Sequence, residues 1–250
     1  MKKKKSWLHH VNLFLRSLLF SFISLSVIFF YSFWCLVSYA FPLSVRYRSI
    51  TGFTAFTIWL LKVICHVDYR VEGLENIPKD RNGVVLSKHQ STWETFFLPT
   101  LFHQAAIILK RELFWVPFFG WGLASIAPIA INRNDASSSM EQILVQGTKY
   151  LQEGRWILVF PEGTRIAPGK VGHYRAGGAR LAVKAGYPVV PVAHNAGRYW
   201  SKRKFIKQPG TIQVVIGPLI ETDGKTADQV LAETKQWIES TMVRIDSKGK

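Results

Sequence analysis

Hydrophobic residues dominate the first quarter of the chain. Residues 17–45 contain no charged side chain, and the apolar run within them continues until Pro42. About 25 such residues in a helix rise ~37 Å, enough to cross a hydrocarbon core of ~30 Å with some tilt. A second apolar stretch, residues 49–67, is interrupted by Lys62 and is short for a span. Because no signal-peptide cleavage site is evident, we expect both stretches to remain as an N-terminal helical hairpin.

Lysine and arginine residues around these stretches set the expected orientation. Residues 2–5 are all lysine and Arg16 follows them, so the positive-inside bias places the N-terminus in the cytoplasm. Arg46 and Arg48 lie between the two stretches and disfavour export of the joining segment. A re-entrant hairpin with both ends in the cytoplasm accommodates all of these charges. We therefore expect an inner-membrane or plasma-membrane protein whose functional site faces the cytoplasm.

Beyond residue 66, strand-like and helix-like patterns alternate. One predicted helix carries Met140 and Ile143 on its apolar face, and another begins after the capping box Thr226-x-x-Gln229. This alternation is typical of an α/β fold with a mostly parallel mixed sheet covered by helices. We expect residues 1–66 to anchor the chain and residues 67–250 to form the α/β domain. Short apolar runs predict strands at residues 68–71, 83–87, 105–109, 127–131, 156–160, 189–193 and 211–216.

The composition narrows the range of partners. The chain has 32 Lys and Arg against 16 Asp and Glu, and this formal net charge of +16 attracts anions. Beside a membrane segment, anionic lipid is the simplest such partner. Residues 198–207 interleave cations with aromatics and suit either a lipid-facing surface or single-stranded nucleic acid; we favour the former and expect no nucleic acid partner. Cys35 and Cys65 lie in apolar stretches and predict neither a disulfide nor a zinc site.

The strand predicted at residues 83–87 runs into a polar segment with His89 and, five positions later, Glu94. Residues five apart on one helix are ~140° apart in azimuth, so the pair meets only if His89 precedes the helix that begins near Glu94. A carboxylate on one ring nitrogen leaves the other free as a general base. The structural alternative is a capping box, Ser91-x-x-Glu94, in which Glu94 bonds the Ser91 amide.

Another polar segment, Phe160-Pro161-Glu162-Gly163-Thr164-Arg165, ends the strand predicted at residues 156–160. Ligands bind where the strands of such sheets run out into loops. Guanidinium groups grip phosphate with paired hydrogen bonds, so Arg165, and Arg133 after another apolar run, are candidate anion ligands. Gly163 permits close approach of the backbone. The alternatives are surface ion pairs for both arginines, a solvated Lys110, and a Glu162 that only braces the turn.

The chain offers no obvious nucleophile for covalent catalysis. It has no Gly-x-Ser-x-Gly elbow, and neither cysteine lies near the polar segments. His89 and Glu94 lack a third ligand at helical spacing, so we expect no metal site. A histidine base without a protein nucleophile predicts activation of a substrate hydroxyl and direct transfer to it.

Four segments resemble, in order and approximate spacing, the sequence blocks of the glycerolipid acyltransferase family, of the 1-acyl-sn-glycerol-3-phosphate acyltransferase type. They are His89-x-x-x-x-Glu94 and residues 129–133, 160–165 and 190–193, and the likeness covers residues 67–218. The family commonly has aspartate where this chain has Glu94, which is one methylene longer. The resemblance implies transfer of a fatty acyl group from acyl-CoA or acyl-carrier protein, as co-substrate and without a cofactor, to the sn-2 hydroxyl of 1-acyl-glycerol-3-phosphate, giving phosphatidic acid.

The resemblance also assigns roles to individual residues. His89 would be the general base and Glu94 its orienting partner. The implied phosphate-binding set is Arg133, Gly163, Thr164 and Arg165, with Glu162 shaping the site and Lys110 as a weaker candidate.

Two alternatives stay open from the sequence. One is acylation of a different lyso-lipid, such as a lyso-aminolipid or a lysophospholipid in remodelling. The other is a non-enzymatic, basic protein that binds a membrane surface or nucleic acid.

Overall fold

Two long helices form the N-terminal hairpin. A computed structural model describes residues 2–132 and 134–247 of the chain. Helix α1 covers Lys2–Ser38 and helix α2 covers Leu43–Cys65. Among the described residues, these two helices are long and apolar enough to cross a membrane by length and composition.

Contacts at both ends show that α1 and α2 run antiparallel. Near the connection, the Tyr31 ring stacks on Phe53 with 4.8 Å between centroids. At the opposite end, the Cys65 Sγ lies 3.7 Å from the backbone oxygen of Arg16. The hairpin therefore returns to the side from which it started.

The start of α2 differs from the prediction, because Arg46 and Arg48 lie inside this helix and not in a connecting segment. Pro42 directly precedes the helix with φ −56°, a value already suited to a helix start. Between the two arginines, the buried Tyr47 donates its hydroxyl to the backbone oxygens of Pro99 and Phe102, at 3.0 and 3.2 Å. Burial of Tyr47 thus favours helix over loop at this position.

The α/β fold predicted from the sequence is confirmed as a seven-stranded sheet in the order β1-β7-β6-β2-β5-β3-β4. Neighbouring strands are parallel except for β6 and β7, which pair antiparallel. All seven predicted strands are present with small shifts at their ends. The strands are β1 (Val67–Glu72), β2 (Val84–Ser87), β3 (Ala106–Lys110), β4 (Ile129–Ile131), β5 (Ile157–Val159), β6 (Val189–His194) and β7 (Gly210–Ile216).

Helices cover both faces of the sheet. They are α3 (Trp93–Leu101), α4 (Phe119–Ser125), α5 (Ala136–Gln152), α6 (Gly177–Ala185) and α7 (Ala227–Ser247). Alternate residues of a strand point to opposite faces. Accordingly, Val85 of β2 packs in one hydrophobic core with α1, α2 and α3, whereas Val84 and Leu86 pack in another with α5 and α6. Since the hairpin shares a core with the sheet, the boundary proposed after residue 66 stays a prediction.

The C-terminal helix begins as predicted. The Thr226 amide donates to Gln229 Oε1 at 2.8 Å, and the Gln229 amide donates to Thr226 Oγ1 at 3.3 Å, which completes the capping box. Ile238 and Met242 of α7 pack with Ala193 of β6 on the face of the sheet opposite the hairpin. This docking places the middle of α7 beside the strand ends that carry the candidate site.

The parallel strands bring the polar segments to one edge of the sheet. Strands β2, β3, β4, β5 and β6 all point the same way, so their carboxyl ends lie together. His89 follows β2, Phe160 follows β5, and Lys110 ends β3. The fold therefore gathers residues that are far apart in sequence.

Candidate functional site

His89 and Glu94 are in direct contact. His89 lies in the loop after β2, and Glu94 lies in the first turn of α3, as the spacing predicted. The distance from His89 Nδ1 to Glu94 Oε1 is 2.9 Å. The same oxygen accepts hydrogen bonds from the backbone amides of Gln90 and Ser91, at 2.8 and 2.7 Å. The capping box and the histidine contact, treated as alternatives in the sequence, are therefore made together by one carboxylate oxygen.

The surroundings of Glu94 favour its ionised form. Burial raises the pKa of this carboxyl, but the electrostatic influence of His194 and the hydrogen bond from His89 outweigh burial and hold the pKa below its usual range. An ionised carboxylate can only accept, so the proton of the His89 ring lies on Nδ1. The other nitrogen, Nε2, is then the one that can take a proton from a substrate.

A buried ion pair supports the loop of His89 from behind. Glu162 Oε2 accepts a hydrogen bond from the His89 backbone amide at 2.9 Å, and Glu162 Oε1 lies 2.7 Å from Lys88 Nζ. The side chains of Lys88 and Glu162 are 1% and 0% exposed. Lys88 Nζ also lies 2.8 Å from Oε1 of Glu239 on α7, which in turn accepts the Tyr174 hydroxyl at 2.7 Å. Helix α7 thereby helps to hold the loop that carries His89.

These contacts show on which side of His89 the Glu162 side chain lies. The side chain is buried behind His89 and contacts Lys88 and the loop backbone, so it does not face the open side of the site. The predicted role of shaping the site fits this position, whereas direct contact with a substrate does not. Its contacts match the alternative given from the sequence, in which Glu162 only braces the backbone.

A second histidine, His194, stiffens the same loop. It ends β6, is fully buried, and its Nε2 lies 2.7 Å from the backbone oxygen of Lys88. Burial lowers the pKa of His194, so its ring is neutral and donates this hydrogen bond from Nε2. The ring therefore acts on Glu94, whose Oε2 is 4.0 Å away, as an N–H dipole.

The predicted phosphate ligands border the same loop. Arg165 Nη1 donates to Thr92 Oγ1 at 2.8 Å, next to the N-terminus of α3, and the Ile166 amide donates to the His89 backbone oxygen at 2.8 Å. Gly163 has φ +65°, and a Cβ there would lie 3.1 Å from Arg175 Nε, so both conformation and space favour glycine. These contacts join the first and third sequence blocks into one site.

The remaining predicted ligands have different outcomes. Lys110 is about half exposed and forms an ion pair with Glu112 at 3.1 Å, yet it also lines a cavity with His89. Thr164 is exposed, and its Oγ1 accepts a hydrogen bond from Lys202 Nζ at 3.0 Å. Arg133 lies outside the described residues, so its role stays a prediction.

An apolar cavity of ≈ 190 Å³ opens beside His89. His89 and Phe160, whose rings stack with 4.2 Å between centroids, line one part of it. Residues of the hairpin, including Ile28 of α1 and Phe53 of α2, line another part. The space between the N-terminal hairpin and the α/β domain thus leads to the candidate base.

The basic and aromatic segment at residues 198–207 packs against α1. Lys207 is buried, and its Nζ lies 5.0–5.5 Å from the ring centroids of Phe20, Trp200 and Phe205. Burial lowers the pKa of Lys207. Trp200 also packs edge-on against Phe20, with 5.4 Å between centroids. Because these aromatic side chains contact the protein itself, the arrangement does not favour stacking on nucleic acid bases.

Sequence reasoning missed several members of the site. Lys88 carried a signal, since it is a charged residue directly after a strand with no polar face. His194, Glu239 and Lys202 carried none, because their contacts depend on how distant elements pack. The cavity was likewise hidden, since it lies between two units whose docking the sequence did not specify.

Comparison with known proteins agrees with this geometry. A model of the Acyltransferase family matches residues 68–195. A 1-acyl-sn-glycerol-3-phosphate acyltransferase of Pseudomonas aeruginosa is 49% identical over 209 residues, covering 82% of this chain and 80% of that protein. The 1-acyl-sn-glycerol-3-phosphate acyltransferase alpha of Mus musculus is 32% identical over 197 residues, covering 76% of this chain and 68% of that protein.

A solved structure is also similar over nearly the whole chain. The crystal structure of the 1-acyl-sn-glycerophosphate (LPA) acyltransferase PlsC from Thermotoga maritima superposes with a TM-score of 0.80 at 25% identity. The match covers 95% of this chain and 97% of that one, so it includes the N-terminal helices. The chain therefore belongs to the acyltransferase family and is an O-acyltransferase similar to the 1-acyl-sn-glycerol-3-phosphate acyltransferases.

Proposed function

We propose that the protein transfers a fatty acyl group from a thioester donor, acyl-CoA or acyl-carrier protein, to the sn-2 hydroxyl of 1-acyl-glycerol-3-phosphate. The product would be phosphatidic acid. The observation that carries the proposal is the His89 ring, held by Glu94 at Nδ1 and bordering an apolar cavity beside a cluster of cations. The relatives named for this reaction support the same substrate class.

In the proposed mechanism, His89 Nε2 removes the proton from the sn-2 hydroxyl as its oxygen attacks the thioester carbonyl. The tetrahedral intermediate then collapses, the carbon–sulfur bond breaks, and the thiol leaves with the proton returned from His89. Glu94 stabilises the imidazolium during this exchange. The acyl group would move directly, because the hydroxyls of the two nearest serines in sequence, Ser87 and Ser91, donate to the backbone oxygens of Lys88 and Trp200 and not to the His89 ring.

The acceptor's phosphate would bind beside Arg165 and Thr164. Arg165 is near the N-terminus of α3, where the helix dipole favours an anion. Lys202 adds a third group, because its Nζ already reaches Thr164. The hydrogen bond between the Ile166 amide and the His89 oxygen keeps this cationic border next to the base. Such an arrangement would position a phosphorylated head group with its free hydroxyl near Nε2.

The apolar cavity would hold a fatty acyl chain. Its walls come from α1, α2, α3, the segment after β3, and α4, and most of them are aliphatic or aromatic. Burying each methylene contributes about 0.8 kcal/mol, so a cavity of this kind would bind long chains well. Both a CoA and a carrier-protein thioester would present the same chain here.

The hairpin would lie in one leaflet of the membrane. α1 contacts the α/β domain from Ser17, which accepts the Lys207 amide at 2.9 Å, to Cys35, which borders Gly122. This stretch of about 18 residues is ~27 Å long, so a spanning α1 would draw the domain into the hydrocarbon. Large apolar side chains on its other side are exposed and suit lipid: Leu15, Leu18, Leu19, Phe22, Leu25 and Phe30. The active site would then face the cytoplasm, where thioester donors occur.

We expect His89→Ala to lower kcat by about 10²–10⁴-fold, because the mutant lacks the general base. Thiol release from acyl-CoA, measured with purified protein and 1-acyl-glycerol-3-phosphate, gives the rate. His103→Ala is the control, since His103 precedes β3 at the opposite edge of the sheet. Wild-type kcat in a folded His89→Ala protein would refute the proposed mechanism.

Lys202→Met should raise the KM for 1-acyl-glycerol-3-phosphate by about 10-fold, because a charged hydrogen bond is worth about 1.5–3 kcal/mol. The KM for the donor should not change. Lys204→Met removes a nearby exposed lysine and serves as the matched control. A panel of lyso-lipids with and without phosphate completes the measurement, since equal loss on both kinds of acceptor would contradict phosphate binding by Lys202 and favour another lyso-lipid as substrate.

Gly122→Leu should shift the preference to shorter acyl donors. A Cβ at Gly122 would lie 3.6 Å from Ile50 Cδ1 and 3.7 Å from Cys35 Sγ, so alanine fits while leucine fills the cavity. We expect kcat/KM to fall at least about 10-fold for long chains and little for short ones, since the lost volume equals several methylenes. Gly122→Ala is the control, and an equal loss for all chain lengths would argue against this position for the chain.

A further inference from the structure

Residues 111–121, here called the aromatic segment, expose apolar side chains that the proposed reaction does not use. The segment contains a 3₁₀ helix, Arg111–Trp115, and the start of α4. The Trp115 side chain is 81% exposed, and Val116 and Trp121 are also exposed. Single exposed apolar residues need no explanation, but a cluster of them marks an interaction surface.

The aromatic segment is continuous with the exposed side of α1. The Phe118 ring packs on Phe29 with 4.8 Å between centroids, and the Trp121 ring packs near Phe33 at 6.4 Å. Phe29 and Phe33 are themselves 40% and 48% exposed. The two elements therefore form one apolar surface and not two separate patches.

The backbone holds the segment in this position. Phe118 has φ +65°, a conformation that side-chain-bearing residues rarely adopt. Such strain persists only where surrounding contacts fix it, and it occurs preferentially at functional positions. Here the Phe118 ring lies on Phe29 of α1 and packs against Trp121, with 5.4 Å between the Phe118 and Trp121 centroids.

Charge at the base of the segment fits the same surface. Lys110 and Arg111 precede the apolar residues, and Arg111 is exposed. A cation beside exposed tryptophan is the arrangement found at membrane interfaces, where the ring enters the acyl region and the charge meets anionic head groups. A water-soluble protein partner would not need this pairing on a surface continuous with α1.

We propose that the aromatic segment inserts into the same leaflet as α1 and forms, with it, a lipid-side entrance to the cavity. Leu113 and Phe118 of the segment and Ile28 and Ser32 of α1 line opposite parts of that cavity. The acceptor in that leaflet could then bring its hydroxyl to His89 between these two walls with its own chain still in the bilayer, while the chain of the donor occupies the cavity. The identity of the molecules that use this entrance rests on the proposed function, whereas insertion of the aromatic segment into the membrane does not.

The test places an environment-sensitive fluorophore on single introduced cysteines of the full chain in anionic lipid vesicles. Cys35 and Cys65 are buried, so they serve as the unlabelled background once lack of reaction is checked. The label goes to Trp115→Cys, to Phe30→Cys on the outer side of α1, and to Val243→Cys on α7, over the opposite face of the sheet. Phe30 and Val243 are 71% and 74% exposed.

We expect the labels at positions 115 and 30 to be quenched by doxyl-labelled lipid and protected from iodide. The label at position 243 should be quenched by iodide and not by the lipid. Lipid quenching at 30 but not at 115 would overturn the proposal, as would no lipid quenching at either. The label at 115 could instead be protected from iodide without being quenched by lipid, and lose this protection when the protein is diluted in lipid. That result would indicate contact with a second copy of the chain and would also overturn the proposal. These readouts do not depend on turnover, so loss of the proposed function would leave them interpretable.

A kinetic measurement tests the entrance itself. Trp115→Asp should raise the apparent KM at least about 10-fold for long-chain acceptor embedded in vesicles, because the segment no longer inserts. With a short-chain acceptor dissolved below its micelle concentration, the KM should stay at the wild-type value. Val243→Asp is the matched control. Equal effects of Trp115→Asp on both acceptors would contradict an entrance from the bilayer.

Discussion

The buried ion pair between Lys88 and Glu162 is the interaction on which the site depends. Removing two charges from water is costly unless their geometry is good and their remaining hydrogen bonds are made. Here Glu162 bonds the His89 amide with its other oxygen, and Lys88 reaches Glu239 on α7. These additional hydrogen bonds offset the cost of burying the two charges. They also hold in place the loop that carries His89.

The polar and apolar parts of the site have different structural origins. The loops at the carboxyl ends of the parallel strands supply His89, the carboxylates that contact its loop, and the nearby cations Arg165 and Lys202. The N-terminal hairpin and α4 supply the apolar cavity. His89 lies where these two parts meet, with its ring stacked on Phe160. A membrane lipid has the same division into charged head and apolar chain, and the site mirrors it.

Much of the fold was predictable because local patterns are strong in this chain. Short apolar runs gave all seven strands, and strand ends in a parallel sheet located the polar segments at one edge. The spacing of His89 and Glu94 permitted their contact only if His89 preceded the helix, and the structure has this loop-then-helix arrangement. The longer glutamate side chain reaches the ring without difficulty, at 2.9 Å.

Other features depend on packing that local sequence does not encode. Lys88 and Glu239 are separated by 151 residues, and their contact requires the docking of α7 on β6. The helical position of Arg46 and Arg48 follows from burial of Tyr47 between them. The cavity arises only when the hairpin and the domain come together. The contact of Lys202 with Thr164 joins two loops that are 38 residues apart in sequence.

The most direct measurement compares kcat per folded molecule for Lys88→Met with that of the double variant Lys88→Met/Glu162→Gln. Lys88→Met leaves buried carboxylates unpaired, whereas a glutamine at 162 can still accept the His89 amide without a charge. The account predicts that kcat falls at least about 100-fold in the single variant and recovers at least about 10-fold in the double variant, with the KM for acceptor little changed. A folded Lys88→Met protein with wild-type kcat would contradict it.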